Sequence, residues 1–156
     1  MMLTEIQHPD HAGEIAALHT GIFPPDQAWS AADFAALLNQ KTKKLLGLRK
    51  ESELIAIAVF QLIPPQAELL TFGVARTWQR QGLAQSLLTH SMAHLARLEI
   101  EQLFLDVAAD NTAAISLYVS LGFTTDGCRK NYYRRAGASD IDAILMSKNI
   151  FNSLLS

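Results

Sequence analysis

A chain of 156 residues with 49% hydrophobic side chains and a formal net charge of -2 has the size and apolar content of one ordinary globular domain that needs no disulfide or metal staple. The near-neutral charge offers no basis for a nucleic-acid or membrane-surface partner, and one cysteine, Cys128, excludes an internal disulfide framework and fits a reducing compartment. The longest apolar run, Leu54 to Phe60, is far shorter than the roughly 20 residues of a membrane span, and Glu5, His8 and Asp10 stand where a signal peptide would be apolar. The expectation is a soluble cytoplasmic protein with a single domain over residues 1–156, a monomer or a dimer.

Leu3 to Gln7 reads as a first strand. Asp10 is placed to cap a helix running to about Gly21, with Ile15, Leu18 and Ile22 as its apolar positions. Phe23-Pro24-Pro25-Asp26 forces a loop, because paired prolines remove donors and fix the backbone. Ser30-Ala31-Ala32-Asp33 has the form of a capped helix start, followed by Phe34, Leu37 and Leu38 facing inward. Lys44 to Arg49 and Leu54 to Ile63 read as strands around the polar turn at residues 50–53, and Pro64-Pro65 ends the second. Glu68 to Val74 is another strand, in which Gly73 signals a bulge or a close backbone approach. Leu83, Leu87, Leu88, Met92 and Leu95 recur at helical spacing from Gly82 to about Leu98. Leu103 to Val107 is a short buried strand. Asn111 to Leu121 is helical, capped by Asp110 or Asn111. Phe123 to Arg134 and Ile141 to Lys148 are the last two strands.

The order β-α-α-β-β-β-α-β-α-β-β predicts an α/β domain. Strand, helix and strand between Glu68 and Val107 require a parallel pair with a right-handed crossover. Hairpins on either side require antiparallel pairs, so the sheet is mixed and mainly antiparallel, with a central parallel strand pair and helices on both faces.

Three stretches carry chemistry. Gln79-Arg80-Gln81-Gly82-Leu83-Ala84 joins a strand to the long helix. A helix start offers unpaired N–H groups and the positive end of the helix dipole, suited to a pyrophosphate. Gly82 would let the backbone approach a ligand and small Ala84 would keep the way clear. No Gly-Lys-Ser/Thr follows and no Gly-x-Gly-x-x-Gly is present, so this is neither a P-loop nor a dinucleotide fingerprint. Alone, it is equally an ordinary helix start. Asn111-x-x-Ala114-x-x-x-Tyr118-x-x-x-Gly122-Phe123 places Ala114 and Tyr118 on one helix face. Leu105-Asp106-Val107 sets an acid in an apolar strand.

In this order, the three stretches resemble the GCN5-related N-acetyltransferase (GNAT) superfamily. Its Gln/Arg-x-x-Gly-x-Gly/Ala loop matches Gln79, Gly82 and Ala84, and its Asn-x-x-Ala…Tyr…Gly-Phe segment matches residues 111–123. Phe23, Trp29-Ser30, Phe34, Asn131-Tyr132-Tyr133 and Asp142 to Met146 extend the likeness to bacterial enzymes that acetylate the N-terminus of a small-subunit ribosomal protein.

The resemblance implies acetyl-CoA as co-substrate, no metal, and a protein N-terminus or a small amine as acceptor. It implies that the strand from Phe72 to Val74 splays from its parallel neighbour and that the Val74 N–H polarises the thioester carbonyl. It assigns Gln79, Arg80, Gln81, Gly82, Leu83 and Ala84 to the pyrophosphate and Asn111 to the pantetheine arm. Tyr118 would protonate the leaving thiolate. Those ribosomal-protein enzymes usually carry Glu where Asp106 stands, so Asp106 is a shorter general base or a structural acid. Phe23, Trp29, Tyr132 and Tyr133 are candidates for the acceptor groove, with the two tyrosines on alternate faces, or else core and strand aromatics. A binding module without catalysis is the reading from another class, and a proton donor at Tyr118 speaks against it. His90 and His94 have metal-ligand spacing, but no Glu follows His90, so a solvated face is expected. Cys128 is expected to be a packed strand residue. Arg129, Lys130, Arg134 and Arg135 form a basic cluster, either a solvated edge or a contact for the coenzyme's ribose phosphate or an acidic substrate.

Overall fold

The computed structural model describes residues 1–135, 137 and 139–151. In chain order the elements are β1 (Met2–Ile6), α1 (Ala12–Ile22), α2 (Ala31–Leu38), β2 (Lys43–Lys50), β3 (Glu53–Ile63) and β4 (Gln66–Val74). They continue with α3 (Leu83–Arg97), β5 (Gln102–Ala108), α4 (Thr112–Ser120), β6 (Thr124–Tyr133) and β7 (Ile141–Asn149). The strands form one sheet in the spatial order β1-β2-β3-β4-β5-β7-β6. The pair β4–β5 is parallel and the other neighbours are antiparallel. Among the described residues, no helix is long and apolar enough to cross a membrane.

Alternation along β2 and β3 divides the core. Leu45, Ile57 and Val59 face α1 and α2, where Ile15, Phe34 and Leu37 bury against them. Leu46, Ala58 and Phe60 face the other way, toward Leu87, Leu88 and Leu95 of α3 and Tyr118 of α4. Both faces of the central strands are covered, which is why β3 reads as a continuous apolar run. Burying each large aliphatic side chain stabilises by about 1.5–3 kcal/mol, so Leu88→Ala would open a void costing about 2–5 kcal/mol.

The α2 start follows its sequence. Ser30 Oγ accepts the Asp33 N–H at 3.1 Å, and the Asp33 carboxylate accepts the Ser30 N–H at 2.9 Å, a reciprocal cap. These bonds hold the Asp33 carboxyl below the ordinary range.

Three expectations are corrected, and of the two readings of Gly73 the close approach holds. Asp10 does not cap α1: a 3-10 turn at Pro9–His11 precedes it, and His8 Nδ1 accepts the Asp10 N–H at 3.1 Å. Proline at the turn's start fixes the backbone there, delaying the α-helix to Ala12. The bulge in β4 lies at Leu70, since Val59 pairs with Thr71 and Phe60 with Leu69. Gly73 instead marks a close approach, because a Cβ there would meet the Ile22 side chain at 3.0 Å. Cys128 is exposed, because β6 is the edge strand and most of its residues face solvent. The expected solvated face at His90 and His94 holds for exposed His90, whereas His94 is half-buried.

Candidate active site

The site begins where the parallel pair ends. β4 and β5 stay in register from Gln66 with Gln102 to Leu69 with Leu105, and pairing then stops. The bulge at Leu70 bends β4 away at that point. β3 remains paired to β4 as far as Val74, and the Ala75 N–H donates to the Ile55 carbonyl at 2.8 Å. Main-chain donors alternate along a strand. The Gly73 N–H therefore faces β3, and the N–H groups of Phe72 and Val74 face the gap. Gln79 Nε2 donates to the Val74 carbonyl at 3.0 Å, supplying a partner that β5 no longer offers. The Gln79 side chain thus braces the strand end rather than reaching out from the loop.

Beyond β4 the chain enters α3 through Arg80 at φ 64° and Gly82 at φ 76°. Gly82 is the helix N-cap and no side chain caps this end, nor does the first turn hold an acid. The contrast with α2 is direct: there serine and aspartate satisfy the free N–H groups, and at α3 those groups of Leu83, Ala84 and the next residue remain open to an anion. Among the described residues, a Cβ built at Gly82 would meet nothing within 4 Å, so there is room in front of the helix. These features fit a pyrophosphate at the residues named for it, Gln79 to Ala84. These residues and Val74 are not in the wall of the cleft described next; they sit at the far end of β4 and the start of α3.

A cleft of about 350 Å³ opens at the parting strands, lined by Leu70, Thr71 and Phe72 from β4 and by Asp106 and Val107 from β5. Phe23, Trp29, Asn111, Tyr118, Tyr133 and Arg135 also reach it. Tyr118 is 5% exposed, with ring centroids 6.0 Å from Phe72 and 5.7 Å from Phe123. Burial, and secondarily Tyr133, pushes its phenol well above the ordinary tyrosine range. Burial, then the charge of Asp106, pushes Tyr133 up to about 12. Both phenols are therefore protonated donors at neutral pH. Asn111 caps α4, its Oδ1 accepting the Ala114 N–H at 3.2 Å, which leaves its amide as the group able to serve a ligand.

The two adjacent tyrosines separate. Tyr133 lines the cleft, whereas Tyr132 is 47% exposed and outside its wall, edge-on to Tyr133 at 5.3 Å. Their orientation is set from β7: Asp142 accepts the Asn131 N–H at 2.8 Å and the Lys130 ammonium at 3.1 Å. These bonds hold the Asp142 carboxyl low, and Asn131 takes a left-handed φ of 53°. The basic cluster disperses. Arg129 lies 5.3 Å over the Tyr132 ring, Arg134 reaches the cleft, and Arg135 makes a two-pronged ion pair with Asp110 at 3.0 and 3.1 Å.

The sequence reading missed His19. It sits four residues after Ile15 on the inward face of α1 and is 1% exposed. A histidine in register with a core isoleucine was the signal available. Its Nδ1 accepts the Trp29 N–H at 3.0 Å, its Nε2 lies 3.1 Å from Thr71 Oγ1, and its ring stacks on Phe23 at 4.2 Å.

A gap between parting parallel strands, with main-chain donors along β4 and a cleft lined by a protonated phenol and an aspartate, is suited to acyl transfer onto an amine, and the class so defined is an N-acetyltransferase. Comparison with known proteins agrees. The chain belongs to the Acetyltransferase (GNAT) family, whose model matches residues 8–123, and it is an N-acetyltransferase. It is 38% identical over 120 residues to the [Ribosomal protein bS18]-alanine N-acetyltransferase of Escherichia coli K12, covering 76% of this chain and 79% of that protein. It is 32% identical over 142 residues to the N-alpha-acetyltransferase RimI of Mycobacterium tuberculosis, covering 88% and 86%. The crystal structure of the Escherichia coli ribosomal-protein-S18-alanine N-acetyltransferase superposes with a TM-score of 0.84 at 30% identity, over 96% of this chain and 94% of that one. A spermidine N-acetyltransferase chimera from Vibrio cholerae and hSSAT superposes at a TM-score of 0.85 over 100% of both chains, at 20% identity. That likeness is one of fold, so the fold leaves the acceptor open.

Proposed function

We propose that this enzyme acetylates the N-terminal α-amine of a protein, a ribosomal protein being the leading candidate, with acetyl-CoA as donor. The observation that carries the acceptor class is the 38% identity, over most of both chains, to a protein named [Ribosomal protein bS18]-alanine N-acetyltransferase. The cleft supports it, since Asp106 stands on a wall that Phe23, Trp29 and Tyr133 line with aromatic surface.

Acetyl-CoA, when bound, supplies an acetyl group activated as a thioester. The uncapped start of α3 would hold its pyrophosphate and the Asn111 amide its pantetheine arm. The Val74 N–H points into the gap as a donor for the carbonyl oxygen. Tyr118 presents a proton toward the leaving sulfur. An ordinary phenol is a weaker acid than a thiol by about 1.5 pKa units, roughly 2 kcal/mol. Tyr118 therefore acts as the sulfur takes on charge and gives nothing up beforehand. Asp106 accepts the amine's proton, directly or through one water.

The amine's own acidity matches a short, half-buried base. At pH 7 an α-amine needs about 1 kcal/mol to lose its proton and a lysine about 4.6 kcal/mol. A screen with acetyl-CoA tests the reading. A peptide starting with alanine should release free thiol, and the same peptide with a blocked N-terminus should not, even with an internal lysine. Equal rates on both peptides, or turnover only with free polyamines, would refute it.

A further inference from the structure

We propose that His19 is a positioning residue for the acceptor: neutral, with its proton on Nε2, it fixes the aromatic wall that Phe23 and Trp29 present to the cleft. This rests on the reading of that end of the cleft as the acceptor side. The tautomer follows from the bonds. Nδ1 accepts the Trp29 N–H, so it carries no proton, and Nε2–H is left to donate to Thr71 Oγ1. One imidazole thus ties the α1–α2 loop to the parting strand, next to the bulge at Leu70. Thr71, Phe23 and Trp29 all line the cleft, and the same ring lies against Phe23 at 4.2 Å, Trp29 at 5.4 Å and Phe34 at 5.4 Å. The imidazole touches no reacting atom, so its influence runs through the wall it holds.

This tie holds in one charge state. An imidazolium is a donor at both nitrogens and cannot accept the Trp29 N–H. Among the described residues, the groups packed around the ring are uncharged: Phe23 at the end of α1, Trp29 and Phe34 from the loop and α2, and Thr71 of β4. Of the charged side chains in the flanking elements, Asp26 and Asp33 are exposed and Asp33 is held by Ser30. Arg76 donates to the Gly21 carbonyl at 2.7 Å, and Asp106 and Tyr133 stand on the cleft wall. Burial therefore governs the ring and holds its pKa below the ordinary histidine value, so the wall stays pinned at neutral pH and is released on acidification.

His19→Phe keeps a ring for the aromatic stack and deletes both hydrogen bonds. In the folded variant the acceptor KM should rise about fivefold or more, on the order of losing one net hydrogen bond that orders the wall, with acetyl-CoA affinity unchanged by calorimetry. In the parent, the acceptor KM, corrected for the neutral fraction of the amine, should rise as pH falls below the histidine range, and in His19→Phe it should be flat. A second readout does not depend on the acceptor. The chain has two tryptophans, Trp29 and Trp78. In a Trp78→Phe background the Trp29 emission should titrate at acid pH, and His19→Phe should abolish that titration. The same pH profile of Trp29 emission with and without His19, or an acceptor KM within twofold of the parent in folded His19→Phe, overturns the proposal. A parent that acetylates no N-terminal amine while Trp29 still titrates through His19 refutes the acceptor class and upholds the role of His19.

Discussion

Replacing Tyr118 by phenylalanine removes one oxygen from the centre of the site. The ring is 5% exposed and packs against Phe72 and Phe123, and phenylalanine keeps those contacts. Stability should change by less than about 1 kcal/mol, against about 3–5 kcal/mol for the void left by Tyr118→Ala. At roughly 2–4 °C per kcal/mol for a chain of this size, only the alanine variant should melt many degrees lower. The effect of Tyr118→Phe should fall on chemistry. A positioned proton donor contributes about 10² or more in rate, so kcat should drop by at least that factor with acetyl-CoA affinity nearly unchanged. The pH dependence separates this from a packing effect. Burial holds the Tyr118 proton well above pH 10, so Tyr118 stays protonated between pH 6 and 9. The rise of rate with pH over that range belongs to the amine and its base, and Tyr118→Phe should lower the profile without changing its shape. Thiol release measured from pH 6 to 9, with thermal melts of the same samples, gives both answers. Near-parent kcat in a folded Tyr118→Phe would leave this tyrosine a packing residue of the helix and no proton donor, and a changed profile below pH 9 would show that it titrates there.

The uncapped helix start predicts that Gly82→Val raises the acetyl-CoA dissociation constant more than tenfold in a protein with native circular dichroism, because a β-branched residue resists a φ of 76°; unchanged affinity by calorimetry would remove α3 from the coenzyme site. Asp106→Ala should lose most activity at low pH and least near pH 9, where about nine-tenths or more of an N-terminal amine is neutral, and Asp106→Glu should retain more activity than Asp106→Ala; a profile that Asp106→Ala leaves unchanged would mean another group takes the proton. Gly73→Ala should cost about 1–3 kcal/mol, seen as a lower Tm, because its Cβ would sit 3.0 Å from Ile22 Cγ2; an unchanged Tm would mean the Ile22 side chain rotates clear.

Most of the fold was legible where local chemistry decides it. The helical spacing of Leu87, Leu88 and Leu95, the Ser30 cap and the stop at Pro64-Pro65 each specify an element without help from distant residues. The insertion of β7 between β5 and β6 was not legible. Apolar alternation gives a strand its faces and leaves its neighbours to sequence-distant packing. The aromatic pair at Tyr132 and Tyr133 marks the same boundary. Alternation predicts one ring in and one out, and the bonds from Asp142 to Asn131 and Lys130, eleven and twelve residues away, decide which. His19 escaped for the same reason: its partners, Thr71 and Trp29, are 52 and 10 positions distant, and a histidine on an apolar face gives no local sign of them.

The bulge at Leu70 connects these observations. Without it, strict alternation would turn Leu69, Thr71 and Gly73 to one face and Leu70, Phe72 and Val74 to the other. With the extra residue, Leu69, Phe72 and Val74 all pack on the α3 and α4 side, while Leu70 and Thr71 both serve the opposite face, where Leu70 meets the α1 and α2 core and Thr71 meets His19. By letting two consecutive residues share a face, the bulge thus does three things in β4. It ends pairing with β5 at Leu69, sends Phe72 to Tyr118, and sends Thr71 to the histidine that pins the aromatic wall. If all of these residues were kept in strict alternation, Phe72 and Thr71 would turn to the wrong faces relative to Leu69, so the bulge is tied to the site by geometry. Gly73 takes its place in the same design, because the bent strand brings its backbone against Ile22 at the end of α1. The strand parting and the aromatic wall are therefore consequences of one irregularity, and a change that straightened β4 would alter both sides of the cleft together.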